Sequence, residues 1–266
     1  MSCRQFRFFD MTEKNVHFKL KLAQIPVDVC CSYLSTKQYC RDYLVSDGEE
    51  TEIQIVITQK DIAAEKAYLS TKKKKDEQLE ASTPEALERL VLCRKVAEQM
   101  PRYDTVLFHG SGLALDGNGV LFTAVSGTGK STHSGLWRRV FGQRIVTIND
   151  DKPFLTVKNE EIRMYGSPWR GKHRLGENTS APVKAICILH RGEENAIERI
   201  SPREAFPMLL QQTYHPSAPE NMLQTVKLVE QLSKGVAMYR LFCNMEEEAA
   251  HVAYRGITFN REENDG

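Results

Sequence analysis

Apolar side chains recur along this chain with two periodicities, that of strands and that of helices, and the change from one to the other divides the chain into two parts. Residues 16–20 and 52–57 alternate apolar and polar side chains, as half-buried strands do. From Pro84 to about Met100 apolar side chains instead fall at helical spacing, after hydroxyl caps and an early proline. The patterns predict a β-rich N-terminal subdomain over residues 1–80 and a larger domain over residues 81–259. A charged tail, residues 260–266, is predicted to be disordered.

The larger domain is predicted to alternate strands with helices, which is typical of an α/β fold with a mixed central sheet. Turn residues at 116–119 and 158–161 predict two hairpins. Ser201 and Glu204 have the spacing of a capping box, with Pro202 at the first helical position. Strands are predicted at residues 106–108, 113–115, 120–123, 144–148, 154–157, 162–165, 185–189 and 237–241.

Composition limits the class of protein. Of the 266 residues 41% are hydrophobic and 27% charged, as in ordinary globular domains. The formal charge of +1 predicts no nucleic-acid partner and no anionic membrane partner, and no apolar run approaches the roughly 18 residues of a membrane span. Seven cysteines include no Cys-x-x-Cys pair, and the N-terminal residues lack the apolar core of a signal peptide. We therefore expect a cytoplasmic protein with reduced cysteines.

A glycine-rich segment between a predicted strand and a predicted helix has the features of a phosphate-binding loop, with Ala124 in place of the usual first glycine. Glycines let several backbone N–H groups point at one anion, and the helix N-terminus adds unsatisfied donors. Lys130 is predicted to reach the β- and γ-phosphates, and the Ser131 hydroxyl to sit on magnesium. The residues predicted to bind the nucleotide phosphates in this loop are Ser126, Gly127, Thr128, Gly129, Lys130, Ser131 and Thr132.

Two carboxylates, Asp150 and Asp151, follow the strand predicted at residues 144–148, about twenty residues after the loop. One carboxylate at such a place can hold magnesium, directly or through water. The other can accept a proton from an attacking hydroxyl, or orient it. A solvated acidic turn is the alternative interpretation, and the phosphate loop upstream favours the functional one.

A basic tract lies in the polar stretch 166–182. Trp169 is followed there by Arg170, Lys172, His173 and Arg174, which could clamp phosphates or an anionic substrate. A solvated basic loop is the alternative, although so long a polar loop between strands favours a function.

Three aromatic positions near the loop are ambiguous on the residues alone. A lone histidine at a strand end, as at His109, is more often structural. His133, one turn into the helix, could touch phosphate or the carboxylates. Trp137 is expected to lie in the core.

Together these motifs resemble a known superfamily. The segment from Ser126 to Thr132 resembles the kinase loop of ATP-dependent phosphoenolpyruvate carboxykinases, and the order of His109, hairpin, loop, Asp150 and Asp151 resembles HPr kinase/phosphorylase. The resemblance covers about residues 100–155. The tract 166–172 is similar to that of small HPr-kinase-like proteins, some relatives of which phosphorylate a serine on a peptide precursor.

The resemblance implies a phosphoenolpyruvate carboxykinase/HPr kinase-like P-loop fold with mixed sheets and a smaller β-rich N-terminal subdomain. It also implies roles: Asp150 as proton acceptor for a serine hydroxyl, Asp151 and Ser131 as metal partners, and His109 near the transferred phosphoryl group. Lys130, with Arg170 or Lys172, would neutralise the charge that develops in transfer.

The chain also departs from both families. It lacks the glycine-rich signature segment that follows the double aspartate of HPr kinases, and it is too short for a full carboxykinase. We therefore predict an ATP- and Mg²⁺-dependent kinase, with Mn²⁺ as an alternative metal, whose acceptor is a hydroxyl of a protein, peptide or small metabolite. A non-catalytic nucleotide-binding regulatory module and a carboxykinase-like lyase acting on a keto acid are the alternatives. GTP or pyrophosphate as donor, and assembly into a homo-oligomer, stay open.

Overall fold

The computed structural model describes residues 15–71, 83–158 and 161–259. These residues divide into two compact units, one of residues 15–21 with 26–95 and the other of residues 22–25 with 96–259. The predicted subdomain boundary at residue 80 and the predicted tail at 260–266 lie outside the described residues.

The first unit contains a three-stranded sheet in the order β1-β2-β3, in which β2 and β3 run parallel. Burial alternates along these strands, which confirms the strands predicted from the alternation at residues 16–20 and 52–57. The elements in this part of the chain are β1 Val16–Leu22, β2 Ile25–Cys31, α1 Leu34–Tyr39, β3 Ile53–Val56, α2 Gln59–Thr71 and α3 Pro84–Gln99.

The second unit is built on a mixed sheet, in which nine strands lie within the described residues. Seven follow the order β4-β8-β9-β10-β6-β5-β7, while β12 pairs with β10 and β11 pairs with β12. The strands are β4 Thr105–Leu107, β5 Ser111–Leu115, β6 Asn118–Thr123, β7 Ile145–Asn149, β8 Phe154–Lys158, β9 Glu161–Tyr165, β10 Ser180–Arg191, β11 Ala196–Arg199 and β12 Ala237–Cys243. The helices are α4 Lys130–Phe141, α5 Pro202–Gln212, α6 Pro219–Gly235 and α7 Glu248–Phe259.

The long strand β10 organises this sheet. Its first residues pair antiparallel with β9, and the rest lies parallel between β6 and β12. In this register Ile188 is beside Thr123 on one side and Arg240 on the other. Because the three strands are parallel, their carboxyl ends meet at one edge of the sheet, and the loop after β6 leaves from that edge.

Apolar side chains fill both faces of this sheet. On one face Ile186 and Ile188 pack with Leu209 of α5 and Leu228 of α6. On the other face Phe122, Cys187 and Leu241 pack with Trp137 of α4 and Ala253 of α7. Successive residues of β10 therefore enter opposite cores, as the alternation of a strand requires. Trp137 is 1% exposed, which confirms its predicted place in the core.

The strands, hairpins and capping box predicted for the second unit are confirmed, and several strands are longer than predicted. The strand predicted at residues 185–189 begins already at Ser180, because Ser180, Ala181 and Pro182 pair with β9. In the three described ranges of the chain, no helix is both long enough and apolar enough to span a bilayer.

Candidate functional site

A tight loop joins β6 to α4 at the carboxyl edge of the sheet. Gly127 and Gly129 have φ angles of 83° and 118°, in the left-handed region that side chains disfavour. The backbone N–H and hydroxyl of Thr128 both donate to the carbonyl of Val125, at 3.2 and 2.8 Å. Since α4 begins at Lys130, the loop ends at a helix N-terminus, where the first N–H groups have no intrahelical acceptor. This arrangement suits an anion.

Lys130 crosses the base of this loop. Its Nζ donates to the carbonyl oxygen of Ala124 at 3.2 Å, and its charge lowers the pKa of His109. Ala124 directly follows Thr123, whose hydroxyl donates to the His109 carbonyl at 3.1 Å. Ser131 and Thr132, the next two residues of α4, are exposed at the helix N-terminus.

Asp150 is buried and held at one oxygen. Its side chain is 3% exposed, and Oδ1 accepts hydrogen bonds from the hydroxyls of Ser111 at 2.5 Å and Ser134 at 2.9 Å. Arg138 Nη1 lies 3.9 Å from the same oxygen. Within the described residues, Oδ2 has no hydrogen-bond partner. Asp150 thus has one fixed oxygen and one that is available to a ligand.

Asp151 has a different environment. Its side chain is 21% exposed, with Oδ1 3.5 Å from His109 Nε2 and Oδ2 paired to the ammonium of Lys152. The side-chain oxygen of Asn149 accepts from the backbone N–H groups of Asp151 at 2.9 Å and Lys152 at 2.7 Å. Asn149 in turn donates to the carbonyl of Ser167, so the turn that carries both aspartates is fixed.

His109 makes two hydrogen-bond contacts with Gln212 at the end of α5. Its backbone N–H donates to the Gln212 carbonyl at 2.7 Å, and Nδ1 lies 2.9 Å from the side-chain Oε1. An amide oxygen only accepts, so Nδ1 carries the proton. Burial lowers the pKa of His109, Lys130 lowers it further, and Asp151 acts in the opposite direction. The neutral ring then turns an acceptor, Nε2, towards the Asp151 carboxylate, and a hydroxyl proton can bridge two such acceptors.

The loop from β9 to β10 is tied to the end of β7. The Asp150 N–H donates to the Leu175 carbonyl at 3.1 Å, and Asn149 forms a β-bridge with Gly176. A Cβ on Gly171 would lie 2.9 Å from the Cβ of Asp151, so the two backbones are in close approach. The basic tract therefore starts beside Asp151, with Arg170 half-buried and three exposed side chains after it, those of Lys172, His173 and Arg174.

Arg191, at the end of β10, also contacts the phosphate loop. Its Nη2 donates to the Gly127 carbonyl at 2.6 Å, and its Nε to the Thr128 carbonyl at 3.4 Å. The Arg191 guanidinium is therefore a second cation at this loop, whose sequence motif contains only Lys130.

His133 lies in the core and not in the site. Its Nε2 accepts a hydrogen bond from Trp137 Nε1 at 3.1 Å, and its ring lies 4.7 Å from that of Phe122. Burial lowers the pKa of His133 to about 4. The histidine is therefore a neutral packing residue of α4.

The structure thus brings His109, Asp151 and the start of the basic tract together, links Lys130 to His109 through Ala124 and Thr123, and joins Asp150 to α4 through Ser134. Sequence reasoning missed five polar side chains that position them. None of them belongs to a motif. Only Arg191 could have been anticipated, from the parallel pairing of β6 and β10. The five are Ser111, Ser134, Lys152, Gln212 and Arg191.

Comparison with known proteins adds little to this description. No protein-family model matches the chain, and no curated protein matches it. Among solved structures, the HPr(Ser) kinase/phosphatase from Coxiella burnetii is similar over 60% of this chain and 99% of its own, with 13% sequence identity and a TM-score of 0.34. The similarity is distant, so the function of this chain has to be inferred from its own residues.

Proposed function

We propose that this chain is an ATP-dependent phosphotransferase that moves the γ-phosphoryl group to a hydroxyl. One observation carries the proposal: Ser134 of α4, the helix that begins at Lys130, donates to the Asp150 carboxylate at 2.9 Å. A lysine that would bind phosphate and a carboxylate that would accept a hydroxyl proton are therefore joined through one turn of α4. A module that only binds nucleotide has no use for such a carboxylate.

The loop suits a nucleotide triphosphate. Its glycine backbone and the N-terminus of α4 would hold the phosphates with Lys130, and Arg170 or Lys172 would add charge from beside Asp151. Across the described residues, no three His, Cys, Asp or Glu side chains converge to form a metal site. Magnesium, or manganese, would instead be held by Ser131 and Asp151 and by phosphate and water oxygens, which is how Mg²⁺ is usually bound in such sites. When bound, the metal supplies positive charge to the phosphates.

Asp150 and the groups around it would act on the acceptor hydroxyl during transfer. In transfer, the acceptor oxygen forms a bond to the γ-phosphorus, the bond from phosphorus to the β–γ bridging oxygen breaks, and ADP leaves. The hydroxyl proton would pass to Oδ2 of Asp150, the carboxylate oxygen that has no hydrogen-bond partner among the described residues. Ser111 and Ser134 would hold this carboxylate in place, and neutral His109 would lie beside the group in transit.

The test is phosphoryl transfer from γ-labelled ATP with magnesium, in a lysate, comparing the wild type with Asp150→Asn. Asp116→Asn is the matched control, because Asp116 is an exposed aspartate in the turn between β5 and β6. We expect a labelled acceptor with the wild type and the control, and its loss with Asp150→Asn. Tight ATP binding without any labelled product would contradict the proposal and indicate a regulatory module. Release of carbon dioxide from oxaloacetate with manganese would indicate a lyase.

A further inference from the structure

The basic tract between β9 and β10 is attached at both ends to the turn that carries the two aspartates. Before the tract, the Ser167 hydroxyl donates to the Lys152 carbonyl at 2.6 Å. After it, the Leu175 carbonyl accepts from the Asp150 N–H at 3.1 Å. Residues 168–174 therefore pass beside the aspartates, and whatever reaches Asp150 from this side meets the tract.

The exposed part of the tract is a tight turn with charge at its tip. The Arg174 N–H donates to the Gly171 carbonyl at 3.2 Å, so Lys172 and His173 lie at the tip. Both side chains are exposed, and neither makes a hydrogen bond or an ion pair within the part of the chain that the structure describes. The Lys172 ammonium is therefore available to a partner.

The charge of this stretch differs from that of the chain as a whole. Residues 166–182 contain three arginine or lysine residues and one acidic residue, Glu177, whereas the whole chain has a formal charge of only +1. The nearby carboxylate of Asp151 is already paired with Lys152. The surface beside the two aspartates is therefore positive, and it favours an acceptor that carries negative charge.

The position of the turn suits an extended acceptor. Gly171 is in close contact with Asp151, and Lys172 is the next residue, so its ammonium lies within about 15 Å of Asp151. Three or four residues of an extended peptide span about 10–14 Å. A peptide with its hydroxyl at Asp150 can therefore place the side chains of nearby residues on the turn.

We propose that the phosphoryl acceptor is an acidic peptide segment, in which carboxylates within three or four residues of a serine bind Lys172 and its neighbours in the turn. The inference rests on the proposed phosphoryl transfer and names the class of its acceptor. Carboxylates on lysine and arginine form charge-assisted hydrogen bonds. Arg170, which is half-buried at the start of the tract, is left to the nucleotide phosphates.

A binding experiment with the full chain tests the surface without any transfer. Three dye-labelled peptides of equal length would carry a central alanine in place of serine, flanked on each side by three Glu, three Gln or three Lys residues. Fluorescence anisotropy then measures each Kd in the absence of ATP. We expect the Glu peptide to bind at least about tenfold more tightly than the Gln peptide, as several exposed charge pairs would give. High salt should reduce this advantage.

A transfer experiment uses the same peptides with serine at the centre, and labelled ATP. The quantity measured is the ratio of kcat/KM for the Glu peptide to that for the Lys peptide. Lys172→Glu should lower this ratio at least about tenfold, because attraction becomes repulsion. Any change in ATP binding affects both peptides equally and cancels in the ratio.

Two further variants complete the test. Lys184→Glu is the matched control and should leave the ratio within twofold. Lys184 is exposed near the start of β10, where Ala185 pairs with Val120, at the opposite end of this parallel pair from the phosphate loop. His173→Glu, at the same exposed tip, decides the question if Lys172→Glu does not fold.

The outcomes separate this inference from the proposed function. Tight binding of the Glu peptide that Lys172→Glu abolishes, without labelled product from any acceptor, would support an acidic partner for the turn and remove the phosphotransferase. Transfer to a small metabolite or a lysate protein, with the Glu and Gln peptides bound equally, would keep the phosphotransferase and overturn the inference. A ratio that Lys172→Glu and His173→Glu both leave unchanged would also overturn it.

Discussion

Arg191 donates from Nη2 to the backbone carbonyl of Gly127 at 2.6 Å, so the end of β10 holds the loop that follows β6. Its Nε reaches the next carbonyl, that of Thr128, at 3.4 Å. Carbonyl oxygens that face a bound phosphate repel it, and a guanidinium that engages them reduces this repulsion. Arg191 thus ties the loop to the sheet and adds positive charge where the sequence motif places only Lys130.

Replacing Arg191 should therefore weaken nucleotide binding. We expect Arg191→Gln to raise the Kd for MgATP about tenfold, the order expected for losing a charged hydrogen bond. Isothermal titration calorimetry measures the change, with Arg199→Gln as a control of equal charge change on an exposed strand. A Kd within twofold of the wild type would show that the loop keeps its shape without this arginine.

The stability that the Ser134 hydroxyl contributes should depend on the negative charge of the Asp150 carboxylate. Ser134→Ala removes a donor from a buried carboxylate and should lower the free energy of unfolding by about 1–3 kcal/mol, measured by urea denaturation. In an Asp150→Asn background the same change should cost clearly less, because the acceptor no longer carries a charge. Ser70→Ala, at an exposed end of α2, provides the reference for an ordinary serine. Equal costs in both backgrounds would show that Ser134 acts independently of Asp150.

Gly171 should be needed for the position of Asp151. Its φ of 69° is left-handed, and a Cβ there would lie 2.9 Å from the Asp151 Cβ, so alanine must displace one backbone. Gly171→Ala is expected to lower kcat for phosphoryl transfer at least about tenfold, because small displacements of reacting groups are costly. Gly48→Ala is the matched control, since a Cβ on Gly48 would meet no atom within 4 Å. An unchanged kcat in Gly171→Ala would remove Asp151 from the catalytic groups.

Much of the fold could be predicted because its signals are local. The hairpin before the loop, the capping box at Ser201 and the helical periodicity after Pro84 each depend on residues a few positions apart. The candidate site is less predictable because the residues that hold Asp150 and His109 come from distant parts of the chain, which the packing of the fold brings together. Ser111 reaches Asp150 across 39 residues and Gln212 reaches His109 across 103, and no spacing rule connects such residues.

The two histidines show the same limit. His133 stands one turn into the helix after the loop, where the sequence alone allows contact with phosphate. The structure turns its ring into the core because Phe122 and Trp137 supply an aromatic environment there. His109, which the sequence alone presents as an ordinary strand-end residue, instead contacts Asp151.

The burial of His133 makes stability depend on pH. Its pKa is about 4 in the folded chain, below the ordinary histidine value of 6.5, so the unfolded chain binds more protons between these values. The contribution of His133 is therefore complete above about pH 6.5 and is lost as the pH falls towards 4, by about 3 kcal/mol in all. Between pH 7.5 and pH 5 the loss should be about 2 kcal/mol, measured by urea unfolding.

His133→Gln separates this effect from the titration of carboxylates. Glutamine does not titrate, and its side-chain oxygen can still accept from Trp137 Nε1, one turn along α4. Wild type and variant share every other titrating group, so the difference between their unfolding free energies should change by about 2 kcal/mol from pH 7.5 to pH 5. A difference that stays constant with pH would mean that His133 is protonated inside the fold, which its buried contact with Phe122 argues against.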